Sequence, residues 1–192
     1  MRIAVYSGSF NPMHIGHLAI IRYMIEVAGF DMVYLIVSPK NPLKDSISSD
    51  SGAERYNAAI KAVNRHFGIS VSDGAARVRV DDIELNMPEP HYTIRTLEAV
   101  RDREPENSFI FVMGADNLAD IRRWRDYTRI LTEFGAAVYP RTGFDLETIK
   151  QDLLNEDPAY KIEILDAQLV DISSTQIREA LANGEDVSHL MM

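Results

Sequence analysis

The amino-acid sequence predicts an α/β protein with a doubly wound, mostly parallel sheet. Six short stretches rich in Val, Ile, Phe and Tyr have the composition of β-strands. Between most of them lie stretches of helical length, in which apolar residues recur at helical spacing. Strands that alternate with helices form right-handed βαβ units, and such units cover both faces of a parallel sheet with helices.

The elements follow in order along the chain. Strands are predicted at residues 2–7, 32–38, 77–85, 108–113, 136–139 and 161–165 because these runs are dominated by β-branched, aromatic and other apolar residues. Helices are predicted at residues 17–28, 53–67, 92–103, 126–134, 146–154 and 174–182 because each keeps an apolar stripe. Residues 41–52, rich in Ser, Asp and Pro, form the longest predicted loop, and loops of that length are often functional.

Length and composition favour one globular domain, residues 1–192, in the cytoplasm. A hydrophobic share of 46% supports a core, and the absence of cysteine excludes disulfides, thiolate metal sites and a cysteine nucleophile. No apolar run reaches the roughly 18 residues of a membrane span, and Met1 leads into a strand without a signal-peptide pattern. The net charge of −9 argues against a nucleic-acid surface, although a small phosphorylated ligand needs only a few local cations. The sequence leaves homo-oligomerisation open.

The loop after the first predicted strand carries the first candidate site, because ligands of open α/β sheets bind outside the carboxyl ends of the strands. Gly8 and Gly16 allow the backbone to approach a ligand closely. His14 and His17 open a helix, where an imidazole pair beside free N–H groups suits a phosphate. The two histidines could instead only cap the helix. A metal site is disfavoured, because no third ligand is apparent in the local sequence.

The segment Ile172-Ser173-Ser174-Thr175-Gln176-Ile177-Arg178 follows the last predicted strand and carries the second candidate site. Hydroxyls and free N–H groups at a helix start can bind phosphate oxygens, and Arg178 offers a bidentate guanidinium one turn later. The spacing of Ser173 and Gln176 is also that of a capping box, so Ser173 could serve only as an N-cap. The residues alone leave both functions open.

The two loops together resemble a known superfamily. The run Gly8-Ser9-Phe10-Asn11-Pro12-x-His14-x-Gly16-His17 resembles the G-[GS]-[TS]-F-[DN]-P-x-H-x-G-H signature of the HxGH nucleotidyltransferases, and residues 172–178 resemble their ISSTxIR motif. The resemblance implies a Rossmann-like nucleotidyltransferase fold. It implies that the catalytic residues are His14, His17 and Arg178, and that ATP is bound by these three with Gly8, Ser9, Phe10, Gly16, Gly114, Asp116, Ile172, Ser173, Ser174 and Thr175.

Further matches between the loops resemble the nicotinate mononucleotide adenylyltransferase family. Residues 39–44 resemble its loop after the second strand, residues 91–97 its YTxDTL helix start, residues 113–118 with Trp124 its GADxL…W segment, and residues 140–143 its RPG turn. These matches imply a mononucleotide site made of Asn11, Lys44, Tyr92, Thr93, Trp124 and Arg141, with the Trp124 ring stacked on the pyridine and the Asp116 carboxylate on a ribose.

Without the resemblance, each inner residue has an ordinary structural interpretation. Trp124 would be a core or surface side chain, Tyr92 and Thr93 first-turn residues, and Asp116 an N-cap. Lys44 and Arg141 would be solvated loop charges. The chain also departs from the family pattern at three positions: Asn11 stands where Asp is commoner, Leu43 replaces a loop histidine, and Arg95 replaces the helix aspartate.

The resemblance implies adenylyl transfer from ATP to nicotinate mononucleotide, which gives nicotinate adenine dinucleotide and pyrophosphate in NAD biosynthesis. The attacking phosphate is already an anion, so the reaction needs alignment and charge neutralisation rather than a general base. ATP would carry Mg²⁺, held largely by its phosphates and by water. Two alternatives stay open: another small-molecule adenylyltransferase, such as the phosphopantetheine enzyme, and a nucleotide-binding regulator without catalysis.

Overall fold

A computed structural model describes residues 1–39, 51–68, 77–167 and 172–192 of the chain. Its strands form one six-stranded sheet in the order β3-β2-β1-β4-β5-β6, and every neighbouring pair is parallel. The strands are β1 (Arg2–Gly8), β2 (Met32–Val37), β3 (Val78–Asp81), β4 (Ser108–Gly114), β5 (Ala136–Tyr139) and β6 (Ile162–Ile164). The predicted α/β fold with a parallel sheet is therefore confirmed.

Helices lie between the strands along the chain. They are α1 (Ile15–Glu26), α2 (Gly52–Phe67), α3 (Ile83–Asn86), α4 (Thr93–Arg103), α5 (Ala115–Ala119), α6 (Tyr127–Arg129), α7 (Leu146–Glu156) and α8 (Ser174–Ala182), with 3₁₀ turns at Ile121–Arg123 and Ser188–Leu190. No helix in the described ranges is both long and apolar enough to cross a membrane. Ten of the twelve predicted elements match the structure within two residues at each end.

The predicted strand at 77–85 is wrong beyond Asp81. The strand ends there because the Asp81 carboxylate accepts a hydrogen bond from the Ile83 N–H at 3.0 Å, which turns the chain into α3. Arg103 holds the same carboxylate through Nη1 at 3.1 Å and Nη2 at 2.6 Å. Ile83 and Leu85, which looked like strand residues, therefore lie on a one-turn helix.

The predicted α-helix at 126–134 is only partly correct. Three residues form α6, and the chain then widens into a π-helical turn at Ile130–Phe134. The Gly135 N–H closes this turn by donating to the Ile130 carbonyl at 2.8 Å, a five-residue spacing. The turn still buries its apolar residues against the sheet, which explains why the sequence pattern looked α-helical. Helix α5 was not predicted.

The crevice of the sheet lies where the winding of the chain reverses. β1 is central, with β2 on one side and β4 on the other. The chain moves outward from β1 to β3 and then returns to β4, so the connections after β1 and β4 diverge at their carboxyl ends. Alternate residues of β1 enter opposite cores, with Ile3 and Val5 in one buried cluster and Ala4 and Tyr6 in the other. Both candidate loops lie at this crevice.

Candidate active site

Two imidazoles stack at the start of α1. His14 is the N-cap, and its Nδ1 accepts a hydrogen bond from the Gly16 N–H at 3.2 Å. The Nδ1 of His17 accepts from the His14 N–H, also at 3.2 Å, and the ring centroids lie 3.8 Å apart. Because both Nδ1 atoms are acceptors, each neutral ring carries its proton on Nε2. The capping function is therefore real, and it leaves one N–H donor on each ring.

Both histidines are neutral at pH 7. Burial, with a smaller contribution from the Arg141 charge, lowers the pKa of His14 from 6.5 to about 4. Burial and then the charges of His14 and Arg141 hold the pKa of His17 well below its usual range. The sequence indicated that the imidazole pair suits a phosphate. In the free protein they are hydrogen-bond donors, and the fixed positive charge beside them comes from Arg141.

The rest of the first loop sets the position of the histidines. Phe10 has a left-handed backbone with φ of 45°, and its buried ring lies edge-on to His17, with centroids 5.2 Å apart. A Cβ on Gly16 would lie 3.0 Å from the His14 ring, and one on Gly8 would lie 3.3 Å from the Phe10 ring. A side chain at either glycine would therefore crowd an aromatic ring of this loop.

The first and last loops meet, as their shared superfamily motifs imply. Arg178 Nη1 donates to the Asn11 carbonyl at 2.6 Å, although these residues are 167 positions apart. Its Nη2 donates to Thr175 Oγ1 at 3.0 Å, and Ser174 Oγ donates to the Pro12 carbonyl at 3.0 Å. Arg178 therefore links the loop before α1 to the start of α8.

The start of α8 also contains the capping box that its spacing predicted. Ser173 Oγ accepts from the Gln176 N–H at 3.2 Å, and Gln176 Oε1 accepts from the Ser173 N–H at 2.8 Å. Ile172 packs over Gly16, since a Cβ on that glycine would lie 3.2 Å from its methyl group. Ser173 is thus an N-cap in the free protein.

Arg141 lies beside the histidines. Together with Tyr6, His14, His17 and Tyr139 it lines a narrow pocket of about 30 Å³, named here the histidine pocket. Its guanidinium covers the Tyr139 ring at 5.2 Å, and its Nε is 3.8 Å from Asp116 Oδ1. Gly114 makes room for this ion pair, because a Cβ there would lie 2.4 Å from the Asp116 carboxylate and 3.3 Å from Arg141 Nε. Arg141 thus lines the histidine pocket, and its contact with the mononucleotide, which the family resemblance implies, stays a prediction.

A cavity of about 190 Å³, named here the large cavity, opens at the carboxyl ends of β1 and β4. Predicted residues that line it are Gly8, Ser9, Tyr92, Thr93 and Trp124. Tyr6 and Tyr139 line both this cavity and the histidine pocket. The two spaces therefore share a wall.

Trp124 and α4 shape one side of the large cavity. The indole packs edge-on to Phe111 with ring centroids 5.9 Å apart, and its buried Nε1 has no hydrogen-bond partner among the described residues. Tyr92 is the N-cap residue of α4, so its neighbour Thr93 starts the helix beside the cavity. Arg95 faces the preceding loop and donates to the carbonyls of Pro88 and Pro90, so this departure from the family pattern supports the loop before α4.

Leu43 and Lys44 lie outside the described residues. Two residues at the site, Arg55 and Glu84, were not identified from the sequence. Arg55, 3% exposed on α2, donates to the carbonyls of Ser9 and Ser38, each at 2.7 Å. It thereby ties the loop after β1 to the loop after β2. The signal was present in the sequence, because an arginine on the same helical stripe as alanines and a valine is unusual unless it is paired. Glu84, on the mispredicted strand, also lines the large cavity.

Across the parts of the chain that the structure describes, no three His, Asp or Glu side chains are grouped as a metal site would require.

Fold and site together define the class of protein. The sequence model of the cytidylyltransferase-like family matches residues 5–180, and the chain belongs to that family of nucleotidyltransferases. A relative from Flavobacterium johnsoniae, named a probable nicotinate-nucleotide adenylyltransferase, is 34% identical over 191 residues, covering 100% of this chain and 92% of its own. One of the same name from Bacteroides fragilis is 36% identical over 190 residues, covering 99% and 87%. Within the class, the chain belongs to the nicotinate-nucleotide adenylyltransferases.

Solved structures support the fold. A Plasmodium falciparum nicotinic acid mononucleotide adenylyltransferase complexed with NaAD superposes with a TM-score of 0.76 at 21% identity, covering 98% of this chain and 87% of that one. A complex of the same enzyme with APC gives a TM-score of 0.72 at 20% identity and the same coverage. The likeness extends over nearly the whole length, in agreement with the Rossmann-like strand order.

Proposed function

We propose that this protein transfers the adenylyl group of ATP to nicotinate mononucleotide and releases pyrophosphate, a step of NAD biosynthesis. One observation carries the proposal: the histidine pocket and the large cavity share the wall made by Tyr6 and Tyr139. The histidine pocket has N–H donors and a guanidinium that suit phosphate, and the adjoining large cavity has a partly buried indole and a helix start. Two nucleotides bound in them would meet at that wall, as a direct transfer between two substrates requires.

The transfer is an in-line displacement. An oxygen of the mononucleotide phosphate bonds to the α-phosphorus of ATP, and the bond from that phosphorus to the bridging α–β oxygen breaks. Pyrophosphate leaves with the electron pair. No covalent enzyme intermediate is formed, and no proton has to be removed from the nucleophile.

We assign the triphosphate to the histidine pocket and the start of α8. The Nε2–H groups of His14 and His17 would donate to phosphate oxygens, while Arg141 and Arg178 supply positive charge. Backbone N–H groups of the first loop and of α8 add donors to the same anion. The residues proposed for this half are Gly8, Ser9, Phe10, Gly16, Gly114, Asp116, Ile172, Ser173, Ser174 and Thr175, with Asp116 toward a ribose. ATP enters as its Mg²⁺ complex, so the ion arrives with the substrate.

We assign the mononucleotide to the large cavity. The Trp124 ring offers a stacking surface for the pyridine, and the N–H of Thr93 at the start of α4 suits its carboxylate. Tyr92, whose own N–H donates to the Pro90 carbonyl at 3.1 Å, lines the cavity beside it. We also propose that Asn11 and Lys44, which the family resemblance assigns to the mononucleotide, contact its phosphate. Arg123 and Arg125, both highly exposed at the cavity, add positive charge that attracts an anionic substrate into an acidic protein.

We further propose that the chain acts as one domain in the cytoplasm. The single sheet includes residues from 2 to 164, and α8 returns to the loop at Asn11, so both motifs belong to one folded unit.

The deciding experiment measures pyrophosphate release from Mg-ATP with nicotinate mononucleotide, nicotinamide mononucleotide and phosphopantetheine as acceptors. We expect turnover with the first, weaker turnover with the second and none with the third. Preference for phosphopantetheine would establish the alternative transferase. Nucleotide binding without pyrophosphate release from any acceptor would establish a regulator instead.

A further inference from the structure

A buried acid in the large cavity has no task in the mechanism proposed above. Glu84, on α3, is 3% exposed and lines the cavity beside Ser7. Its Oε1 accepts hydrogen bonds from Thr96 Oγ1 at 2.7 Å and from Ser7 Oγ at 3.4 Å. Its Oε2 is also buried, and among the described residues that oxygen has no hydrogen-bond partner. One half of the carboxylate is thus anchored and the other half is free.

A buried carboxylate oxygen without a protein partner suggests that a bound ligand donates a hydrogen bond to it. Burial of a carboxylate is costly unless its oxygens are hydrogen-bonded, and such groups in native proteins are nearly always paired. Thr96 lies in the first turn of α4, and Ser7 lies near the carboxyl end of β1, so the anchor fixes Glu84 at the crevice between them. The geometry holds an acceptor rigidly at the wall of a substrate cavity.

The chemistry of the mononucleotide identifies which of its groups can pair with Glu84. A carboxylate oxygen accepts hydrogen bonds and cannot donate them. At neutral pH the carboxylate and the phosphate of nicotinate mononucleotide are also acceptors. Its two ribose hydroxyls are therefore its only donors. The same cavity offers the unpaired Nε1–H of Trp124, a donor that suits the acceptor groups of the substrate.

We propose that Glu84 accepts a hydrogen bond from a ribose hydroxyl of the mononucleotide and thereby makes the large cavity selective for a ribonucleotide. This inference rests on the proposed function, because it takes the mononucleotide to be the occupant of the cavity. Glu84 is then a substrate-contacting specificity residue, and Thr96 is the positioning residue that holds it.

The test is a double-mutant cycle in which one change is made in the enzyme and the other in the substrate. Wild type, E84Q and E98Q are compared on nicotinate mononucleotide and on its 2′-deoxy and 3′-deoxy forms, with kcat/KM measured at saturating Mg-ATP. Glu98 is a matched control, because it lies on α4, as Thr96 does, but pairs with Arg129 at 2.8 Å outside the cavity. E84Q keeps the side-chain volume and an oxygen for Thr96 while removing the charge.

We expect one deoxy form to lower the wild-type kcat/KM by roughly 10- to 100-fold, the range for hydrogen bonds to charged groups. E84Q should lower kcat/KM for the ribose form by a similar factor and should distinguish ribose from deoxyribose by less than about 3-fold. Its KM for ATP and its ratio of nicotinate to nicotinamide mononucleotide use should stay at wild-type values. E98Q should behave as wild type throughout.

Several results would overturn the inference. If wild type has the same kcat/KM for both deoxy forms as for the ribose form, the inference is refuted without any variant. The test therefore stays valid even if E84Q does not fold. If E84Q and the missing hydroxyl each lower kcat/KM and the two losses multiply in the combination, Glu84 does not contact that hydroxyl. If E84Q changes the ratio of nicotinate to nicotinamide mononucleotide use, Glu84 acts on the pyridine substituent instead. In these cases transfer to the mononucleotide still occurs and the proposed function stands. Absence of transfer to every mononucleotide overturns both.

Discussion

The depressed pKa of His14 predicts a specific loss of stability in acid. As the pH falls below 6.5, the unfolded chain binds a proton at this imidazole, whereas the folded protein does so only near pH 4. Stability is therefore fully present above pH 6.5 and declines as the pH falls toward 4. With these two pKa values the loss from pH 7 to pH 5 is at most about 2 kcal/mol, since solvent at the pocket mouth screens part of the effect.

The variant that isolates this effect is His14→Asn. Asparagine is a good N-cap, and its Oδ1 replaces the imidazole Nδ1 as acceptor for the Gly16 N–H. Urea unfolding at pH 7 and pH 5 should show that wild type loses up to about 2 kcal/mol more than the variant over this interval. His189→Asn removes an exposed histidine and should keep the wild-type pH dependence. Parallel pH profiles for wild type and His14→Asn would refute the neutral, buried imidazole.

The other predictions concern catalysis. His17→Ala should lower kcat by roughly 10²-fold with little change in unfolding free energy, as loss of one donor to transition-state charge does, and a folded variant with normal kcat would remove His17 from the mechanism. Arg178→Lys should raise KM for ATP or lower kcat by roughly 10-fold, because lysine cannot bind both the Asn11 carbonyl and Thr175. The control Arg101→Lys, at a partly buried arginine that pairs with Glu133, should leave both constants unchanged. Unchanged kinetics for Arg178→Lys would leave Arg178 a structural residue. Nicotinate mononucleotide should be preferred to the amide by roughly 10²-fold in kcat/KM, because donors of the large cavity such as the Thr93 N–H would face the NH₂ of the amide. A ratio near one would contradict a donor-only pocket.

Local patterns were sufficient for most of the secondary structure. Strand composition and helical spacing located ten elements, and the capping box at Ser173 was visible from its spacing. The failures came at two places where particular hydrogen bonds override the preference of the local sequence. Arg103 and the Asp81 carboxylate end β3 early, and a five-residue hydrogen bond at Gly135 widens the predicted helix into a π turn.

The sequence by itself determined the chemical class of the protein. The residues from Gly8 to His17 and from Ile172 to Arg178 are contiguous, so their motif and the caps they form depend on neighbours within one turn. The fold class follows from alternation along the chain in the same way.

Only the tertiary structure decided how those parts meet. The contact of Arg178 with Asn11 spans 167 residues, and the wall of Tyr6 and Tyr139 requires β1 and β5 to lie in one sheet with β4 between them. The tertiary structure also placed Arg141 at the histidine pocket and lowered the pKa of both imidazoles by burial. It left one carboxylate oxygen of Glu84 without a partner among the described residues. Burial and long-range contact arise when the chain packs, and for that reason the charge state of a site residue and the neighbours it faces are not encoded in any short segment.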